Sequence, residues 1–342
     1  MNRFLFLDWL RILATLAVVT LHSSTSFVLT NFHEDSFSWL VGNFYESITR
    51  WCVPVFVMIS GALLLNDVKT NTYKSFLSKR LSKVLVPLLG WSIIYYGYFV
   101  FQGRYSFSLL EFAQNFSTNK ISNHFWFIYM LLGLYLITPL LKILVQNATK
   151  RDIKYFLLLW FYASIMVRLL NFYFGFSFNV ELYFATSFIG YYLLGYYLMK
   201  YEISLNWRKA MYISGLIGVL ATFFLTYSLT IEADGKFKAF WYDYHSITVL
   251  AASVGLFVFM KYSAANSIAP SQFLAKLINE TSFGIYLAHI LVMKILATYL
   301  PFLWLDMNTF IEIPYKVLLT VFVSILLVKL MKKVVLLRKL VP

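Results

Sequence analysis

The chain predicts an all-α, polytopic membrane protein of about ten transmembrane helices with both termini in the cytoplasm. Three observations carry this. Hydrophobic residues make up 60% of the 342 positions, aromatic residues 20% and charged residues only 13%, with a mean hydropathy of +0.71. A soluble domain averages about 45–50% apolar and about 25% charged. Ten apolar runs are each long enough to cross a hydrocarbon core, which takes about 17–25 helical residues. The cations are also unevenly placed. With the N-terminus inside, 20 Lys and Arg fall on inner segments, 6 on outer loops and 3 within spans or at their edges. Cytoplasmic segments are enriched in cations in this way. Residues 1–342 read as one membrane domain, with no long soluble segment, low-complexity linker or internal repeat.

The first span, 5–27, follows a short basic start that resembles a secretory leader. It lacks a small-residue cleavage site and is expected to be a retained helix. It carries Asp8, Arg11, Thr15 and His22. Eleven residues bring a helix back to within roughly 20° of its starting face, about 16 Å further along. Arg11 and His22 therefore share one stripe, with Asp8 and Thr15 close to it. Lipid gives such a stripe nothing to do, whereas a polar channel does, and ionisable groups at membrane depth are functional candidates. On one reading His22 is a general base and Arg11 holds an anion or orients a partner. On the other, both side chains reach to the interfaces.

The second span, 44–66, contains Pro54 and the pair Ser60-Gly61. These admit a close ligand or simply a close helix. No Gly-x-Ser-x-Gly turn is present, so Ser60 is not read as a nucleophile. The loop that follows holds Lys69, Lys74, Lys79, Arg80 and Lys83. Arg80 and Lys83, spaced i, i+3, share a face at the entrance to the third span, 84–102, with Lys79 beside them. They can clamp phosphates or serve as plain cytoplasmic anchors. Pro87 and Pro139 lie in the third and fourth spans, where proline kinks helices and frees carbonyls.

The fourth span, 125–145, opens on His124-Phe125-Trp126, either a binding wall for sugar or acyl groups or part of an interfacial aromatic belt. The fifth and sixth spans, 153–172 and 183–199, are crowded at their turn by Arg168, Asn171 and Glu181. The seventh, 209–231, and eighth, 245–262, flank an outer loop with Glu232 and Asp234, and His245 begins the eighth. The ninth, 282–300, holds His289, and the tenth, 314–334, ends on a basic cluster. Glu46, Glu181, Asp243 and Glu280 are candidate acidic partners for the histidines.

Several function classes are excluded. The net charge of +14 would suit a nucleic-acid binder, but the cations sit at span ends rather than on one face. Cys52 is the single cysteine, so no internal disulfide or cysteine-based metal site exists. The five histidines lack the spacing of a zinc site, and no permanently bound cofactor is expected.

Arg11-x10-His22, Phe56-x-x-x-Ser60-Gly61, Arg80-x-x-Lys83, His124-x-Trp126-Phe127 with Tyr135-x-x-x-Pro139-Leu140, and Ser282-Phe-Gly-Ile-Tyr286-Leu-x-His289 occur here in one order. Together they resemble the acyltransferase-3 family of integral membrane acyltransferases. The resemblance spans nearly the whole chain. Asp8-x-Leu10-Arg11 with Thr30-Asn31-x-His33 is most similar to the group that O-acetylates enterobacterial common antigen. The resemblance implies acyl transfer from cytoplasmic acyl-CoA, usually acetyl-CoA, to a hydroxyl of an envelope glycan or lipid-linked sugar, in the bacterial inner membrane. It implies His22 as catalytic base or acyl-handling residue and Arg11 as its partner. Arg80 and Lys83, with Lys79, become contacts to CoA phosphates. His124, Trp126, Ser60 and His289 become substrate-side residues. The family's basic pair is often Arg-x-x-Arg, and Lys83 keeps the charge without the bidentate fork. The competing expectation is a transporter or exporter of glycan or acyl intermediates, using the same stripe as a pathway.

Overall fold

The structure, a computed structural model, describes residues 5–67, 72–176, 182–263 and 272–342. Every regular element among them is helical. Among the described residues nine helical stretches are long and apolar enough to cross a membrane: Leu5–Leu29, Ser36–Leu64, Tyr73–Phe101, Asn123–Asn147, Lys150–Phe174, Leu205–Glu232, Phe240–Ser263, Glu280–Tyr299 and Thr309–Lys333. The all-α membrane architecture is thus as expected, and the count differs by one. The predicted sixth span contains a helix of only twelve residues, Ile189–Lys200. At 1.5 Å per residue it is about 18 Å long, against a hydrocarbon core of about 30 Å. A 3-10 turn at Tyr183–Ala185 precedes it, and Ser187 adopts φ 62°, which interrupts any longer helix. Glu181 and Lys69 lie outside the described residues.

The chain divides into two compact units. The first comprises Met1–Val68, Lys142–Asn279 and Asp306–Val317. Its helices are α1 (Leu5–Leu29), α2 (Ser36–Ser47), α3 (Cys52–Leu64), α7 (Lys150–Phe161), α8 (Val167–Phe174), α9 (Ile189–Lys200), α10 (Leu205–Glu232) and α11 (Ile247–Ser263). The second comprises Lys69–Leu141, Glu280–Leu305 and Leu318–Pro342. It holds α4 (Tyr73–Phe101), α5 (Leu109–Ser117), most of α6 (Trp126–Asn147), and the larger parts of α12 (Gln272–Tyr299) and α13 (Thr309–Lys333).

In the first unit the predicted second span begins earlier than hydropathy suggested and is broken. Asp35 caps α2 by accepting from the Ser38 amide at 2.9 Å. The helix stops at Ser47 and α3 resumes at Cys52. Pro54 is the third residue of α3, where its missing N–H removes no intrahelical bond. Small residues then set how closely helices approach. A Cβ on Gly61 would lie 1.8 Å from the Tyr192 carbonyl oxygen, and one on Gly195 2.0 Å from that of Met58, so α3 and α9 meet backbone to backbone. This contact explains why α9 is folded despite its length. The helices α10 and α11 meet through Gly215 and Gly255, and the Thr222 hydroxyl reaches Thr248 Oγ1 at 2.9 Å.

In the second unit Tyr95 joins α4 to α12. Its hydroxyl donates to the Leu287 carbonyl at 3.0 Å and accepts from the Leu291 amide at 2.9 Å. Trp91 donates from Nε1 to the Leu340 carbonyl at 3.1 Å, which holds the C-terminal turn Leu337–Leu340 on α4. Pro87 and Pro139 lie inside continuous helices.

Candidate active site

On α1 the stripe read from spacing is present. Asp8 is buried, and its carboxylate lies 3.8 Å from the Arg11 guanidinium. The Thr15 hydroxyl folds back onto the Arg11 carbonyl at 2.8 Å. His22 is half-buried, two turns short of the end of α1. One turn beyond it, the Thr25 hydroxyl donates to Glu46 Oε1 at 2.6 Å.

Glu46 leads to a group of residues that the sequence reading left unassembled. It stands on α2, is fully buried, and pairs with Arg50 in the break between α2 and α3. The Arg50 guanidinium lies 4.2 Å from the centroid of the Tyr242 ring and donates to the Tyr242 carbonyl at 3.5 Å. The Tyr242 hydroxyl donates to Asn43 Oδ1 at 2.5 Å, and the Ser47 hydroxyl reaches the same oxygen at 3.2 Å. Asn43 in turn donates to the Phe223 carbonyl. A buried ion pair needs such further hydrogen bonds to offset its desolvation. The sequence did carry a signal, because Glu46 and Arg50 are spaced i, i+4 inside an apolar run.

Ser60 donates to the Phe56 carbonyl at 3.0 Å within α3, and its neighbour Gly61 serves the contact with α9.

In the second unit, two residues 165 positions apart in sequence are brought together. The His124 and His289 rings lie 5.2 Å apart, edge to face, and both are buried. Tyr95 stands 5.4 Å from the His124 ring and Tyr286 5.6 Å from it. Ser122 shares a 2.9 Å hydrogen bond with His124 Nδ1, and the Tyr286 hydroxyl donates to the His124 carbonyl. His289 Nδ1 faces two carbonyl oxygens, of Tyr286 at 2.7 Å and Ile285 at 3.1 Å. Two carbonyl acceptors call for a proton on Nδ1. Trp126 is half-buried and packs edge to face against Phe127, ring centroids 6.2 Å apart.

Lys79, Arg80 and Lys83 ride on the body of α4, which begins at Tyr73, well before the predicted span at 84. Arg80 is half-buried and both lysines are exposed. Lys79 and Lys83 are one turn apart and Arg80 and Lys83 slightly less, so a single helix face offers three cations to an anion. Among the described residues no three His, Cys, Asp or Glu side chains converge in a way that could hold a metal ion.

The fold is all-helical, with nine stretches among the described residues long and apolar enough to cross a membrane, and a fold alone does not name a chemistry. The chain matches the family model described as an acyltransferase domain, Acyl_transf_3, over residues 4–329. It belongs to that family and is a membrane acyltransferase. Comparison with curated proteins finds no match, and neither does comparison with solved structures.

Proposed function

We propose that this enzyme is an O-acetyltransferase, taking the acetyl group from cytoplasmic acetyl-CoA to a hydroxyl of an envelope glycan or lipid-linked sugar in a bacterial inner membrane. The family match over residues 4–329, with the Arg11 and His22 stripe inside it, is the observation that carries this reading. His22 removes the acceptor proton as the hydroxyl oxygen attacks the thioester carbonyl. The C–S bond then breaks, and the departing CoA sulfur takes up the proton. Arg11, steadied by Asp8, orients the reacting group or balances the developing charge.

Arg80, Lys83 and Lys79 hold the CoA phosphates. A CoA carries several phosphate charges, and α4 presents its cations on one face, with Arg80 able to bind bidentately. His124, Trp126, His289 and Ser60 are assigned to the substrate. The resemblance to common-antigen O-acetyltransferases makes a surface glycan the favoured acceptor. The positive-inside asymmetry supports a cytoplasmic face for the donor site, and cytoplasmic termini where α9 completes a tenth crossing.

The test is acetyl-CoA binding to purified, detergent-solubilised protein, followed by transfer of labelled acetyl to glycan. Saturable binding that collapses in Arg80→Ala/Lys83→Ala is expected. Folded wild type that binds no acetyl-CoA removes the donor assignment.

A further inference from the structure

We propose that the cavity beside Arg168 in the first unit is the subsite that seats a pyranose ring of the acceptor glycan. The assignment rests on the glycan-acylation reading above and adds the residues that recognise the sugar. The cavity has a volume of about 530 Å³ and is lined by Val167, Arg168, Asn171, Phe172, Phe176 and Phe240 among others. That size lies within the roughly 300–1,000 Å³ usual for small-molecule sites, and the cavity is open on the side of the exposed Asn171, Phe172 and Phe176.

The chain builds this cavity in a specific way. A π-helical turn, Tyr162–Met166, separates α7 from α8. Such turns shift the register of the helix that follows and often occur at functional sites. Beyond it, Arg168, Asn171 and Phe172 fall at i, i+3 and i+4 and share one face. Gly175, at φ 66°, closes α8. Phe240 then stacks on Phe172, ring centroids 3.8 Å apart, so the two rings cover one face of each other and line the cavity as a stacked pair.

The polar groups are held firmly. The Arg168 guanidinium forks between the Asp243 carboxylate at 2.7 Å and the Phe240 carbonyl at 3.3 Å. It also packs on the Phe240 ring, 4.8 Å from its centroid. Asn171 donates to the Phe176 carbonyl at 3.3 Å. Asp243 is fixed from behind by the His245 amide at 2.7 Å. A stacked aromatic pair beside a neutralised guanidinium and a carboxamide matches a sugar, which has an apolar C–H face and a rim of hydroxyls. A lipid chain would match the rings but would bury the polar groups against hydrocarbon, at a cost.

The position of the cavity also fits. Asp243 follows directly on Tyr242, which holds Arg50. Arg50 holds Glu46, and Glu46 accepts from Thr25, one turn from His22. The segment Phe240 to His245 is therefore common to the cavity and to the buried network at the end of the α1 stripe.

The experiment is saturation-transfer NMR on detergent-solubilised protein with a panel of a neutral hexose, an N-acetylhexosamine and a hexuronate. Arg168→Leu and Asn171→Leu are compared with wild type, and acetyl-CoA binding and thermal unfolding are measured on the same samples. Saturable binding of at least one sugar is expected. It should weaken tenfold or more in Arg168→Leu and several-fold in Asn171→Leu, with acetyl-CoA binding unchanged. The second variant keeps the Arg168–Asp243 pair and so decides the matter if the first unfolds. Wild type that binds none of the panel overturns the proposal. So do folded variants that bind sugar as wild type does, or a co-purified phospholipid that Arg168→Leu releases. Sugar binding lost in the variants, in a wild type that neither binds acetyl-CoA nor transfers acetyl, keeps the subsite and removes the acetyl-CoA reading instead.

Discussion

Glu46 and Arg50 form an enclosed pair of opposite charges in the first unit, with side-chain exposures of 0% and 15%. Removing one partner strands the other. Glu46→Ala is expected to cost about 3–5 kcal/mol, the usual effect of breaking a buried pair. Thermal unfolding in detergent would measure it. Replacing both residues with apolar ones, as in Glu46→Leu/Arg50→Met, should recover much of that loss, and a double variant no more stable than the single would contradict the account. His22 is expected to behave in the opposite way, with stability kept and chemistry lost. General-base catalysis is worth about 10²–10⁴-fold, so His22→Ala should lower acetyl transfer by that order while acetyl-CoA still binds. Undiminished transfer in folded His22→Ala protein would remove the assigned role. Both sets of residues were partly visible beforehand. The Arg11–His22 stripe needed only helical periodicity. The pairing of Glu46 with Arg50 is readable from i, i+4 spacing, but the bond from Thr25 to Glu46 is not, because the two stand on different helices.

At the scale of elements, the α3–α9 contact depends on two glycines. A Cβ at Gly61 or Gly195 would overlap the facing backbone at 1.8 and 2.0 Å, which no side-chain adjustment relieves. Gly61→Val should therefore lower both the yield of folded protein and its thermal midpoint, measured by fluorescence-detected size exclusion after heating. A midpoint equal to wild type would mean the helices can separate at little cost. The cation face of α4 makes a different prediction. Charge-assisted hydrogen bonds contribute about 1.5–3 kcal/mol each, so Arg80→Ala/Lys83→Ala should weaken acetyl-CoA binding at least tenfold and leave stability near wild type. Arg80→Lys should retain part of the affinity, since charge is kept and the fork is lost. The positions of these helices were legible in hydropathy. The break in Ser36–Leu64 and the shortness of α9 were not, because an apolar run looks the same whether its helix is continuous or interrupted.

For the whole molecule, orientation in the bilayer follows from where the cations lie, and α9 decides the parity of crossings. Impermeant maleimide labelling of single-cysteine variants measures it directly, against the low background of buried Cys52. Lys150→Cys should react only after lysis, and Lys238→Cys, which follows α9 in the chain, should react in intact cells if α9 completes a crossing. Lys333→Cys should resemble Lys150→Cys if α9 completes a crossing. Its reaction from outside would place the C-terminus on the other face.

Composition, run length and charge asymmetry were enough to determine an all-α membrane protein, because the bilayer imposes its solvent requirements on each segment separately. Helical periodicity likewise placed Arg11 with His22 and Arg80 with Lys83, since both pairs lie on single helices. Only the tertiary structure decided that His124 meets His289, that Glu46 and Arg50 join Thr25 to Tyr242, and that Arg168 opens on a cavity with Phe240. Those pairings lie between helices whose contacts depend on where glycines permit close approach and where buried polar groups find partners. Neither condition is a property of any one segment.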